Sequence, residues 1–169
     1  MNTILKKVAL AAALATASLS AHAAEAEIAV WADVDPTLAL LKADGTALDD
    51  SVKLAHNPAT GKLVKWSERV RIYSNDIDKD VEVHLGHNPT LMLVGGGGTP
   101  VPLKVSLNSQ VLTTTAVTFD ASTIFDGALP GASIPMSLDI EQGNDVAIAD
   151  SGRYEGIVRI AMVQATGTP

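Results

Sequence analysis

Along most of this chain the hydrophobic residues fall on every second position. Ile28, Val30, Ala32 and Val34 alternate with Glu27, Ala29, Trp31 and Asp33 until Pro36 breaks the run. Alternation with a period of two predicts a strand with one apolar face, because successive side chains point to opposite sides of the pleat. Proline, with no N–H to give to a ladder, marks off residues 24–36 from everything that follows. The same pattern returns at Val52 and Leu54, and at Val64, Trp66, Val70 and Ile72. Glu68 interrupts that last face and predicts a bulge or an edge position. Val81, Val83 and Leu85 alternate cleanly, as do Val101, Leu103, Val105 and Leu107, and then Met136, Leu138 and Ile140. Residues 111–119, rich in Thr and Val, are predicted to be extended. The longest run, Tyr154, Gly156, Val158, Ile160 and Met162, predicts a single carboxy-terminal strand over 153–163.

Turn chemistry separates these segments. Asp44-Gly45 ends the apolar stretch 37–42, Asn57-Pro58 ends the segment 51–55, and Thr60-Gly61 opens the segment 62–74. Residues 38–42 mimic a helical turn and 121–125 are expected to form one, but no stretch carries a sustained helical period. Regularly spaced short strands predict an all-β sandwich.

Residues 1–23 stand apart. Lys6-Lys7, an apolar run from Val8 to Leu19 and Ala21-His22-Ala23 have the form of an export signal with its cleavage site. The apolar run is shorter than the roughly 20 residues of a spanning helix. Removing it takes away two lysines, so the remainder is more acidic than the formal −7 of the whole. Such a chain is a poor partner for nucleic acid or for an anionic lipid surface. No second stretch is apolar enough to span a membrane, so the product is expected not to be membrane-embedded. With no cysteine, an exported domain of this size must be held by packing and backbone pairing.

Several residues invite a chemical reading. His84 and His87, with His56 as a third, suggest a metal site, but two histidines around Gly86 do not make the three or four ligands that one needs. Met92, Met136 and Met162 suit soft copper, yet core packing explains those on apolar faces better. Asp49-Asp50, or Asp78 with Asp80, have the chemistry of an acid–base pair but lie in polar, turn-like stretches. The alternating oxygens of 75–80 suit calcium, although the loop pattern is incomplete and Lys79 opposes the charge. Four glycines at 95–98 lead through Thr99-Pro100 into a strand rather than into the lysine and helix of a phosphate-binding loop. No nucleophile elbow is present. The residues therefore predict neither catalytic nor cofactor-binding groups.

The segments 28–36, 40–45 with Leu48, 52–54 followed by Pro58, 110–116 and 152–158 together resemble the major pilins of alternate chaperone–usher, or alpha-class, fimbriae. This family includes the colonisation-factor fimbriae and the cable pili. The resemblance implies an immunoglobulin-like β-sandwich that is incomplete by one strand. In that family the gap is filled by the amino-terminal donor strand of a neighbour. On this chain the inserted positions are Ile28, Val30, Ala32 and Val34, with Pro36 closing the extension. The implied organisation is a signal peptide at 1–23, a donor-strand extension at 24–36 and a sandwich domain at 37–169. The implied partners are identical subunits head-to-tail in a surface fibre that supports adhesion, a periplasmic chaperone, an outer-membrane usher and a minor tip adhesin. Tyr154, Val158, Ile160 and Met162 are expected to border the acceptor groove. The rival reading is a self-contained secreted β-sandwich that binds a carbohydrate or a protein and keeps 24–36 in its own sheet.

Overall fold

A computed structural model describes residues 38–165, so the predicted donor strand with Ile28, Val30, Ala32 and Val34, its boundary Pro36 and the export signal lie outside the described residues. Twelve strands and one short helical turn follow in order. They are β1 (Ala39–Lys42), β2 (His56–Asn57), β3 (Lys62–Leu63), β4 (Trp66–Tyr73), β5 (Val81–Leu85) and β6 (Thr90–Leu93). Next come β7 (Val101–Leu107), β8 (Gln110–Leu112), β9 (Val117–Phe119) and α1 (Ala121–Ile124). The chain then forms β10 (Met136–Gln142), β11 (Tyr154–Glu155) and β12 (Ile160–Gln164).

Every pairing is antiparallel. The larger sheet runs in the order β1-β4-β10-β7-β6-β11, with β8 also on β7, and the smaller in the order β12-β5-β9. The turn between β7 and β8 needs positive φ at both Asn108 (49°) and Ser109 (67°), the geometry that suits the twist of a tight hairpin. The core fills the space between the sheets. Val70 and Ile72 of β4, Val81 and Val83 of β5, and Val105 and Leu107 of β7 are wholly buried, and each belongs to one of the alternating runs.

Four expectations are refined. Glu68 has no bulge: it lies in regular register with Leu138 of β10. Its other side is an edge, because β1 pairs with β4 only over Val70 to Tyr73. Residues 111–119 are broken at Thr113 to Ala116, and β8 and β9 join different sheets. Residues 51–55 are extended but have no strand partner among the described residues; pairing starts only at His56.

The carboxy-terminal run 153–163 is two strands rather than one. β11 pairs with β6 in the larger sheet, and β12 pairs with β5 in the smaller. The paired ribbon bends from one sheet into the other, and Gly156 makes the bend possible. A Cβ there would overlap the carbonyl oxygen of Thr90.

Candidate acceptor groove

Among the described residues β12 lies at one end of its sheet and is paired only with β5. Ile160 stands opposite Leu85, Met162 opposite Val83 and Gln164 opposite Val81. The three β5 residues are buried, yet Ile160 and Met162, on the same inward face, are only partly covered. Backbone bonding gives the reason. Gly86 donates to the carbonyl of Arg159 (2.9 Å) and Ala165 to that of Asp80 (2.9 Å), so the odd-numbered residues of this strand bond to β5. In an antiparallel ladder the intervening residues face away from the partner. The N–H and C=O groups of Ile160, Met162 and Gln164 therefore point to an open edge.

The opposite wall comes from the first part of the described chain. Leu40 of β1 stands across from the fully buried Ile72, yet is itself half-buried. Further along, Val52 and Leu54 pack against the core, while Ser51, Lys53 and Ala55 are exposed. The larger sheet curls so that this wall and the β11 edge face each other. Between them lies an open trough of about 1240 Å³, lined on one side by Val52, Leu54 and His56 and on the other by Tyr154, Gly156 and Ile157. At the carboxy-terminal end of β12, Gln164 donates to Ser74 Oγ (2.7 Å) and to the carbonyl of Asp76 (2.8 Å). That end adjoins the start of β1, where Ala39 pairs with Tyr73.

Of the four residues expected to border the groove, Tyr154 lines the trough. Ile160 and Met162 are in β12, Val158 packs against the core just before it, and Tyr154 is in β11. The other wall, Val52, Leu54 and Leu40, does not follow from the sequence pattern as a groove, although the alternation of Val52 and Leu54 is its signal.

The other candidate chemistry disperses. Among the described residues no group of three or more His, Asp or Glu side chains is placed to hold a metal ion. His56 is in β2, His84 is in β5, and the His87 Nε2 lies 3.0 Å from the carbonyl of Ile157. Met136 is buried in β10, Met92 is exposed in β6 and Met162 is in β12. Asp49 is bound to Lys42 (2.7 Å). Asp76 is bound to Lys79 (2.9 Å), whose hydrogen bond holds the carboxyl below its ordinary range. Asp80 accepts the N–H of Ala121 (2.7 Å) and so anchors α1. Gly95, Gly96 and Gly97 all take positive φ with open space around them. Their loop is tied down where Thr99 N–H meets the Asp150 carboxylate (2.9 Å).

The CS1 type fimbrial major subunit family matches residues 24–163. This chain belongs to that family. A CFA/I fimbrial subunit of Escherichia coli O78:H11 (strain H10407 / ETEC) is 37% identical over 149 residues, covering 86% of this chain and 88% of the relative. A CS1 fimbrial subunit of Escherichia coli is 34% identical over 170 residues, covering 96% and 99%. The solved CooA pilin from enterotoxigenic Escherichia coli superposes with a TM-score of 0.70 at 28% identity, covering 79% of this chain and 91% of that one. A chain from the chaperone–tip adhesin complex of CFA/I fimbriae biogenesis shares the fold alone, with a TM-score of 0.58 at 13% identity, covering 76% of this chain and 43% of that one. The sandwich of this CS1-type subunit is therefore the immunoglobulin-like pilin fold, and the protein is a structural subunit of a surface fimbria. Among the described residues no helix is long and apolar enough to cross a membrane.

Proposed function

We propose that this CS1-type subunit polymerises by donating residues 24–36, after removal of the export signal 1–23, into the trough of a neighbouring copy's domain (37–169). The observation that carries the reading is the pair of sheet edges, β12 and β1, that have no further strand partner among the described residues. Ile160 and Met162 on one side, and Leu40, Val52 and Leu54 on the other, are half-covered beside fully buried core neighbours. Ile28, Val30, Ala32 and Val34 are the side chains that complete this core. Each larger one contributes roughly 1.5–3 kcal/mol on burial, and each new ladder hydrogen bond about 0.5–1.5 kcal/mol net.

The position of β1 favours one orientation. Each copy's own domain begins beside Leu38, near the end of β12 where Gln164 meets Ser74. An incoming strand antiparallel to β12 brings its Pro36 to the opposite end, beside residues 51–56 and 152–157. Successive domains then follow one another along an axis. Parallel insertion brings both domains to the same end, where they collide. A contact between unlike surfaces repeated in this way builds a filament rather than a closed dimer.

The same open edge is a hazard before assembly, since unpaired strand edges invite wrong partners. A periplasmic chaperone that covers the trough, an outer-membrane usher that exchanges it for the donor strand, and a minor tip adhesin that carries receptor binding complete the reading. The subunit is a fibre element without catalytic chemistry, and the fibre supports adhesion to host cells. The test is fibre formation by Val30→Asp and Trp31→Ser chains. An aspartate at an inward position loses water in an apolar slot, so Val30→Asp should block polymerisation while the outward-facing Trp31→Ser is tolerated. Normal fibres from Val30→Asp would refute donation by this face.

A further inference from the structure

The strand that the reading above places in the trough has a second face. Its inward positions are even-numbered, so Glu25, Glu27, Trp31, Asp33 and Asp35 fall on the outer face. The rims of the trough carry cations that lack partners. Six of the described basic side chains form ion pairs, including Arg153 with its near neighbour Glu155 (2.7 Å). Arg71 instead donates to the carbonyl of Ser133. Lys53, Arg69 and Arg159 have neither an ion pair nor a side-chain hydrogen bond to another described residue. Arg69 lies within the larger sheet, opposite Ser137. The other two stand on the two walls of the groove. Lys53 is exposed between Val52 and Leu54 and lines the trough. Arg159 is exposed at the entry to β12, its aliphatic stem lying over Gly86, which has no side chain to displace it.

We propose that Lys53 and Arg159 speed the docking of the incoming strand of a second copy by pairing with its carboxylates Asp33 and Asp35. In the antiparallel orientation the proline end of that strand arrives beside residues 51–56 and 152–157. At about 3.3 Å per residue, Asp33 and Asp35 lie within about 10 Å of Pro36, between Lys53 on one rim and Arg159 on the other. Glu25 and Glu27 lie in the amino-terminal half of the strand, toward the end where Asp76 and Asp80 supply like charge, so the attraction rests on Asp33 and Asp35. Exposed pairs of this kind act chiefly on association rate and orientation and are screened by salt. This steering role rests on strand donation and adds what speeds it.

The test is polymer growth of the mature chain, followed by gel electrophoresis at about 20 mM and about 500 mM NaCl. A chain with Lys53→Glu and Arg159→Glu should grow polymers about tenfold more slowly than wild type at low salt, and within about twofold at high salt. Adding Asp33→Lys and Asp35→Lys to that chain restores opposite signs and should recover most of the lost rate. Unchanged low-salt growth of the first variant, or no recovery in the second, overturns the proposal. Neutral substitutions guard against misfolding of the reversed chain. Arg159→Gln and the pair Asp33→Asn with Asp35→Asn should each slow growth, and together should slow it by less than the product of the separate effects. Multiplicative losses overturn the coupling. Val30→Asp separates this idea from its foundation. If Val30→Asp polymerises normally, strand donation itself is wrong, whereas a block by Val30→Asp beside indifferent charge variants removes only the steering role.

Discussion

Met162 stands directly across the ladder from Val83, yet Val83 is completely buried and Met162 is partly open to solvent. The two share a face, so the difference does not come from alternation. It comes from what lies beyond each strand: among the described residues β5 has β12 and β9 on its two sides, whereas β12 has only β5. Leu40 and Ile72 repeat the relationship on the other wall. An incomplete core is therefore visible as a step in burial between paired residues.

That step separates folding from assembly. Val83→Ala should lower the stability of the subunit itself by about 2 kcal/mol, the range of a large-to-small change in a filled core. Met162→Ala removes contacts that are complete only once the trough is filled. It should leave the melting temperature of the unassembled chain within a few degrees of wild type but lower the temperature at which fibres dissociate. Thermal melting and heat dissociation on gels measure the two quantities. Equal losses in both for Met162→Ala would mean that its side chain is already fully packed in the lone subunit.

Two glycines should differ in their effect on assembly. Gly156→Ala drives a methyl group into the Thr90 carbonyl at the bend between β11 and β12, and overpacking against backbone costs about 1–3 kcal/mol. Gly96→Ala meets nothing within 4 Å and bears only the strain of its φ of 82°, roughly 1–2 kcal/mol. Only the first should also disturb the groove, so fibre yield should fall with Gly156→Ala and hold with Gly96→Ala. Quantifying fibres sheared from cells alongside melting curves checks both.

These residues also mark how far the sequence was legible. Alternation at Val81, Val83 and Leu85, and at Val105 and Leu107, correctly identifies the inward faces, because a period of two encodes which way a side chain points. It does not encode the strand's partner. Tyr154 and Met162 keep one parity while the chain passes from one sheet to the other, so the run reads as a single strand. Val52 and Leu54 alternate with no described strand beside them, and alternation alone does not distinguish a paired strand from the wall of an open trough. His84 and His87 meet the same limit: ligand sets depend on proximity in space, which their spacing does not encode, and the structure places His84 in β5 and His87 in the bend after it.

Acid should weaken the larger sheet through Asp139. Its carboxyl accepts hydrogen bonds from Ser67 and Ser137 and lies near Lys65, and these contacts, the Ser67 bond foremost, hold it below its ordinary 3.8. A carboxyl depressed in the folded state stabilises fully above its unfolded pKa and loses that contribution as pH falls through the folded value. Stability should thus be insensitive to this group near neutrality and decline below about pH 4. Asp139→Asn should be less stable than wild type at pH 7 and should flatten the acid limb of the melting profile. A wild-type acid limb in the variant would assign the loss to other carboxylates.

The backbone offers the most direct view of the trough, because hydrogen exchange reports each amide separately. The bonds from Gly86 to Arg159 and from Ala165 to Asp80 set the phase of the β5–β12 ladder. The amides of Ala161 and Val163 therefore face β5, while those of Ile160 and Met162 face the open edge. The amides of residues 52–54 have no backbone partner among the described residues either. In the unassembled subunit Ala161 and Val163 should exchange slowly, and Ile160, Met162 and residues 52–54 should exchange fast, since local protection follows local hydrogen bonding. A peptide covering residues 24–36, or assembly into fibres, should slow the second group by a factor of about 100 or more while changing Ala161 and Val163 far less. Protection of Ile160 and Met162 without any change at 52–54 would mean that the incoming strand pairs with one wall only. If neither group changes, the trough is not where subunits join.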